Sequence, residues 1–334
     1  QGRGAHPALR FGARAWTYAE VAERSRRLAH DLLGGGIAAE QRVYIVLPDL
    51  PPFAWSIFAT LAAGAVVTMG NPIAPADDLL YVLGYVRARV LITTPDVLAG
   101  MMGADPARAQ ASDLTRVLLV PNAATDDDPE AAIEHHPTSW AGAAVEPLTT
   151  AIARGATSTR TLPVIRRDDP AIWLFTSGST GRPKAAMHSH RDFAFNTEVY
   201  AKATMGYCAD DVTVSVPRLF FGYATGTNLW FPFAVGATVG LFAERPTAES
   251  LADAIARYRP TIVTNVPTML GKLLDYDAER TASGQPGLDF SSVRFHLSAG
   301  EALPPALLER FLARFGGQVY DGIGSAEMFH IYCS

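Results

Sequence analysis

The apolar positions along this chain change their period several times, and each change marks an element. From Tyr18 onward Val21, Leu28, Leu32 and Leu33 fall on one helical face, introduced by Thr17-Tyr18-Ala19-Glu20. That tetrapeptide has the capping-box form, in which the threonine oxygen and the glutamate each satisfy an orphan amide. Gly34 stops the helix. A strand is expected at Val43–Leu47. Phe53 to Met69 then carries no charge for 17 residues. A bilayer needs roughly 17–25 such residues, and Gly64 interrupts this run, so it reads as a buried helix, a glycine stop and a buried strand. A helix at Asp77–Arg87 and a strand at Val90–Thr93 continue the alternation.

Between Pro121 and about Asp169 the periodicity dissolves into Ala, Thr, Asp and Pro, and "TDDDPE" and "HHPTSW" are loop chemistry. One short helix is expected there, around Thr149–Arg154. The alternation then resumes. Strands are expected at Ala171–Phe175, Val212–Val216, Thr238–Phe242, Thr261–Asn265, Val293–Ser298 and Gln318–Tyr320. Helices are expected at Ser189–Thr204, Thr225–Phe233, Ala248–Arg257, Pro267–Asp275 and Pro304–Phe315. Helices alternating with short Val/Ile-rich strands predict an α/β fold with parallel or mixed sheets covered on both faces. The polar stretch (about 121–168) divides the chain into a first α/β subdomain, 1–168, and a second, 169–334. No internal repeat is visible.

Composition narrows the picture. The chain has 334 residues, 49% hydrophobic and 18% charged, which is ordinary for a folded globular protein. Its net charge of -5 supplies no basic field for nucleic acid or an anionic membrane, so an anionic ligand has to be held by local groups. Cys208 and Cys333 have no metal or redox spacing, which predicts a cytoplasmic protein with free thiols. The opening QGRGAHPALRF has neither the apolar core of a signal peptide nor a starting methionine, so a cut chain is expected.

Polar chemistry is densest in "LFTSGSTGRPKAAMHSH", Leu174 to His190. A loop of this composition offers unobstructed backbone amides, hydroxyl donors and two cations, the inventory for holding a polyphosphate. It is not a Walker A loop, because Pro183 stands where that motif needs its second glycine. The G-x-G-x-x-A at Gly34–Ala39 follows a helix, so it is not a dinucleotide fingerprint either. The plain alternative is a solvated hairpin turn. The length of the loop and its apolar flanks argue against that.

Thr176 to Lys184 matches in full the Ser/Thr-Ser/Thr-Gly-Ser/Thr-Thr-Gly-x-Pro-Lys signature, and the chain resembles the adenylate-forming superfamily of acyl- and aryl-CoA ligases, nonribosomal adenylation domains and luciferases. Ser298-Ala299-Gly300-Glu301-Ala302-Leu303 and "YDGIGSAE" (Tyr320 to Glu327) resemble its later blocks, in the same order. "PRLFFGYATGTNLWFPFAVGAT" and "YDGIGSAEMFHIY" are similar to the benzoate–CoA ligase branch. The resemblance covers the family's N-terminal large domain and implies two αβαβα-type subdomains with mixed, mainly parallel sheets.

Roles follow from the resemblance. Thr176, Ser177, Gly178, Ser179, Thr180 and Gly181 would wrap the ATP phosphates, with Lys184 adding charge. Glu327 would hold Mg²⁺, and Thr180 would assist through water, so Thr180, Lys184 and Glu327 form the expected catalytic set. Gly300, Glu301, Ala302, Asp321, Gly322, Ile323 and Gly324 would neighbour the adenine nucleotide. Where relatives carry tyrosine and threonine, this chain has Ile323 and Ala326, which removes a stacking ring and a hydroxyl. Phe220, Phe221, Tyr223, Ala224, Gly226 and His330 would line a slot for a flat ring.

His188-Ser189-His190 has no third ligand near it in sequence. Ser189 with Asp192 reads as a helix cap. His135-His136 reads as solvated.

The implied activity is ATP-dependent conversion of an aromatic carboxylate to acyl-AMP and then to an aryl-CoA thioester, with AMP released. Two alternatives stand beside it: an aryl adenylation enzyme that loads a carrier protein, and a non-catalytic nucleotide-binding protein. A second copy of the chain, in a homodimer, is a further candidate partner. No segment resembles the family's small C-terminal domain, so the chain alone is expected to bind its substrates weakly and turn over almost nothing.

Overall fold

The computed structural model describes residues 2–104, 113–176 and 183–334. The chain forms two compact units. Tyr18–Asp192 is an inserted unit, and Gln1–Thr17 with Phe193–Ser334 makes a split unit. The split unit contains β1 (Pro7–Phe11) and β2 (Arg14–Thr17). In the inserted unit lie β3 (Arg42–Val46), β4 (Val66–Met69), β5 (Ala88–Thr93) and β6 (Arg116–Leu119). It continues with β7 (Ser139–Trp140), β8 (Ala143–Pro147), β9 (Pro170–Thr176) and β10 (Lys184–Ser189).

The split unit resumes with β11 (Val212–Ser215), β12 (Thr238–Leu241) and β13 (Ile262–Asn265). It ends with β14 (Phe295–Ala299), β15 (Val319–Gly324) and β16 (Ile331–Cys333).

Among the described residues both sheets have eight strands, ordered β10-β9-β4-β3-β5-β6-β8-β7 and β16-β15-β14-β13-β11-β12-β1-β2. In each, six central strands run parallel and one antiparallel strand closes each edge. Helices supply most of the crossovers that parallel strands require, but β6 reaches its parallel partner β8 through residues 120–142, which hold loop and the short strand β7. The expected α/β class with two mixed, mainly parallel sheets is therefore the architecture found.

Period-two alternation sends successive residues to opposite faces. In β13, Val263 joins one core with Leu270, Phe290 and Phe311. Its neighbour Ile262 joins another with Tyr200, Tyr207 and Phe231. The inserted unit packs Tyr44, Leu83, Leu91 and Val117 into its own core.

The uncharged run Phe53–Met69 resolves as expected. Helix Pro51–Ala62 starts on two prolines, Gly64 takes φ +73°, and β4 follows. Among the described residues, no helix is long and apolar enough to cross a membrane.

Three expectations need revision. The sheets do not divide the chain at 168/169. β9 pairs in parallel with β4, so residues 170–189 complete the inserted unit, while 7–17 pair into the other sheet. The polar stretch marks a change of composition, but strand pairing decides the boundary. That stretch also holds an unexpected hairpin, β7–β8, ahead of the expected short helix, found at Leu148–Gly155. Finally, the single helix expected at Ser189–Thr204 is two elements, His190–Asn196 and a π-helical run Thr197–Thr204. Ser189 belongs to β10, and its N–H donates to Asp192 Oδ2 at 2.8 Å. The wide π turn shows in Met205 N–H donating to the Tyr200 carbonyl, five residues back.

Candidate active site

In the inserted unit, Thr176 ends β9 and Lys184 opens β10, and the two are direct register partners. The strands on either side of the signature loop therefore form an antiparallel hairpin, with Lys184 exposed. Ser177, Gly178, Ser179, Thr180 and Gly181 lie outside the described residues.

The remaining candidates lie in the split unit, at the carboxyl ends of its parallel strands and in the edge hairpin. Open α/β sheets bind ligands beyond such strand ends. Asn265, Ser298 and Asp321 form one transverse row across β13, β14 and β15, and Ala299 pairs with Gly322 in the next. After β14 the chain turns at Gly300, whose φ of +89° favours glycine. Glu301 and Ala302 follow, exposed.

The β15–β16 hairpin is tightly built. A Cβ on Gly322 would come within 2.8 Å of the Ile331 side chain, and one on Gly324 within 2.8 Å of the His330 carbonyl oxygen. The 3₁₀ turn Ala326–Met328 between the strands presents Glu327 to solvent. Ile323, 62% exposed, faces out as well.

His330 is the residue this hairpin buries. It is 3% exposed and packs edge-on against Phe231 at 4.8 Å between ring centroids. Tyr200 and Tyr223 tilt against it at 5.3 and 5.6 Å. Gly226 permits the approach, since a Cβ there would lie 2.4 Å from the imidazole Cδ2.

Only a protonated ring nitrogen can face a carbonyl, so Nε2–H donates to the Tyr223 carbonyl at 3.0 Å. Burial pushes the His330 pKa down to about 4, against the opposing pull of that hydrogen bond. The ring is therefore neutral, and Nδ1 is a buried acceptor with no partner among the described residues. The Tyr223 hydroxyl is likewise buried and unpartnered, and burial raises its pKa well above the ordinary 10.

The structure thus brings Tyr223, Gly226 and His330 together. Phe220 and Phe221 form a separate ring pair, centroids 4.4 Å apart, with Phe221 52% exposed. Ala224 is buried beside Tyr223 in the chain. Tyr200 and Phe231, which complete the seat of His330, were not singled out from sequence. Tyr200 lies outside the motif blocks, and Phe231 stands within residues 217–238 among other aromatic residues with nothing local to set it apart.

For a metal, no group of three or more His, Cys, Asp or Glu is placed to cage an ion among the described residues. Glu327's exposed carboxylate suits magnesium all the same, because that ion takes most of its ligands from phosphate oxygens and water.

This architecture and these blocks agree with the comparisons. The chain belongs to the AMP-binding enzyme family, whose model matches residues 1–334. It is 33% identical to the benzoate–CoA ligase of Thauera aromatica, over 100% of this chain and 58% of that protein. Among solved structures it superposes on a benzoate CoA ligase from Burkholderia xenovorans LB400 with a TM-score of 0.81 and 30% identity, covering 99% of this chain and 60% of that one. An anthranilate CoA ligase in complex with anthranoyl-AMP gives a TM-score of 0.84 at 27% identity, covering 99% and 59%. The chain spans a little under three fifths of the curated relative's length.

Proposed function

We propose that this chain carries the adenylation half of an aryl-CoA ligase. An oxygen of an aromatic carboxylate attacks the α-phosphorus of ATP and pyrophosphate leaves. The thiol of coenzyme A then attacks the acyl carbon and AMP leaves.

In this reading residues 176–184 hold the phosphates, and Gly300–Ala302 with Asp321–Gly324 flank the adenine. Glu327 holds Mg²⁺, which neutralises phosphate charge. Phe220, Phe221, Tyr223, Ala224, Gly226 and His330 shape the aryl slot. No covalent enzyme intermediate is needed, so positioning and charge neutralisation supply the catalysis.

The observation that carries the aryl reading is the aromatic seat of Tyr200, Tyr223 and Phe231 around His330, in the hairpin that bears Glu327. A rigid ring loses less conformational freedom in such a setting than a flexible acyl chain does. Thermal unfolding of this chain tests it. MgATP and benzoate should each raise the melting temperature, benzoate more than hexanoate. Gly178→Val should abolish the MgATP shift and keep the benzoate shift. Greater stabilisation by hexanoate would refute the aryl reading, and an MgATP shift unchanged in Gly178→Val would refute the loop assignment.

A further inference from the structure

Helix Pro267–Ala282 begins without a cap of its own. Its N-cap residue is Val266, which has no side-chain acceptor, and Pro267 supplies no N–H. The first free amide is that of Thr268, which donates to Glu301 Oε2 at 3.2 Å. The Thr268 hydroxyl donates to the same oxygen at 2.6 Å. A carboxylate 33 residues along the chain therefore caps the helix. Its charge also lies at the positive end of the helix dipole.

The contact links two loops that leave neighbouring strand ends. β13 ends at Asn265 and β14 at Ala299, and Asn265 is the register partner of Ser298. Glu301 stands between Gly300, held at φ +89°, and Ala302. Both Thr268 and Glu301 are exposed. An exposed cap of this kind contributes to stability by the modest amount typical of a helix N-cap. Its main effect is on the path of the turn.

We infer that Thr268 is a positioning residue for nucleotide binding: through Glu301 it fixes the turn Gly300–Ala302 in the conformation that receives the adenine. The inference rests on the proposed placement of adenine against that turn. Thr268 itself touches no substrate. It acts only through the Glu301 carboxylate.

Calorimetric titration of this chain with AMP, and separately with benzoate, tests the tie. Thr268→Val and Glu301→Ala should each weaken AMP about tenfold, equivalent to ~1.4 kcal/mol. Benzoate affinity should stay at the parent value, and the melting temperature should fall only by the small amount a lost helix cap costs. Thr268→Ser, which keeps the donor, should hold AMP affinity near that of the parent, and Glu301→Gln, which keeps an acceptor without the charge, should lose less than Glu301→Ala. The double variant Thr268→Val/Glu301→Ala should be no weaker than either single variant, because both remove one interaction.

Unchanged AMP affinity in Thr268→Val would overturn the inference. So would a loss of affinity shared equally by AMP and benzoate, which is the signature of a merely structural role. A parent chain that binds benzoate but no AMP would overturn the nucleotide reading itself, and this inference with it.

Discussion

Each sheet adds an antiparallel edge strand through a hairpin that carries one of the sequence blocks, β9–β10 in the inserted unit and β15–β16 in the split unit. The two hairpins are held differently. Around β15–β16, glycines at 322 and 324 leave no room for a Cβ, Phe329 sits at φ +69°, and His330 is buried and hydrogen-bonded to the Tyr223 carbonyl. The β9–β10 strands pair in register from Thr176 and Lys184, but Lys184 and Met187 on the edge strand face solvent. The β15–β16 hairpin is fixed by its turn and its core contacts; the β9–β10 hairpin is anchored through β9, where Ile172 and Leu174 are buried, while much of β10 lies open to solvent. Substitutions should therefore be felt very unequally in the two.

Acid should expose the difference most strongly. The split unit buries two histidines, His296 and His330, each pushed down to about 4 by burial. Between the ordinary 6.5 and 4, an unfolded histidine takes up a proton that the buried one refuses. Stability is therefore full above pH 6.5 and falls as pH drops through that window, by about 3 kcal/mol for each histidine. Urea unfolding at stepped pH should show this slope, and His296→Phe and His330→Phe should each remove one proton's share of it. A slope unchanged in both variants would contradict the assignment.

Smaller losses should come from adding one methyl. Gly226→Ala and Gly324→Ala place a Cβ at 2.4 Å from the His330 ring and 2.8 Å from its carbonyl. Each should cost about 1–3 kcal/mol by overpacking, measurable by chemical denaturation. The other hairpin supplies the contrast. Met187→Thr on β10, where Met187 is 68% exposed, should change stability by no more than about 0.5 kcal/mol. A large loss there would erase the distinction between the hairpins.

What was legible in the sequence was mostly local. Thr176–Lys184 announces itself because hydroxyls, glycines and cations crowd between apolar flanks. Pro51-Pro52 and Gly64 set the limits of a buried helix that composition alone could mistake for a membrane span. β10 was not legible, because Lys-Ala-Ala-Met-His-Ser has neither alternation nor β-branched residues and pairs only because β9 lies beside it. The domain boundary failed for a similar reason: the partnership of β9 with β4 is a long-range choice that no composition shift records.

At the candidate site the motif residues were readable, but their relationships were not. That His330 needs Gly226, or that Glu301 caps a helix starting at Pro267, depends on contacts between distant segments.

The order of β1 and β12 has a consequence for how the chain acquires its structure. β1 pairs in parallel with β12 through Leu9 and Val239, so the split unit can be completed only after the whole inserted unit has been synthesised. Bringing two strands together across so long a stretch of open chain is entropically unfavourable, and contacts this distant in sequence slow folding. The inserted unit, by contrast, is one uninterrupted stretch whose sheet, among the described residues, pairs within itself. Vectorial synthesis therefore favours folding from the middle outward, with the amino-terminal hairpin β1–β2 waiting for a partner made more than two hundred residues later.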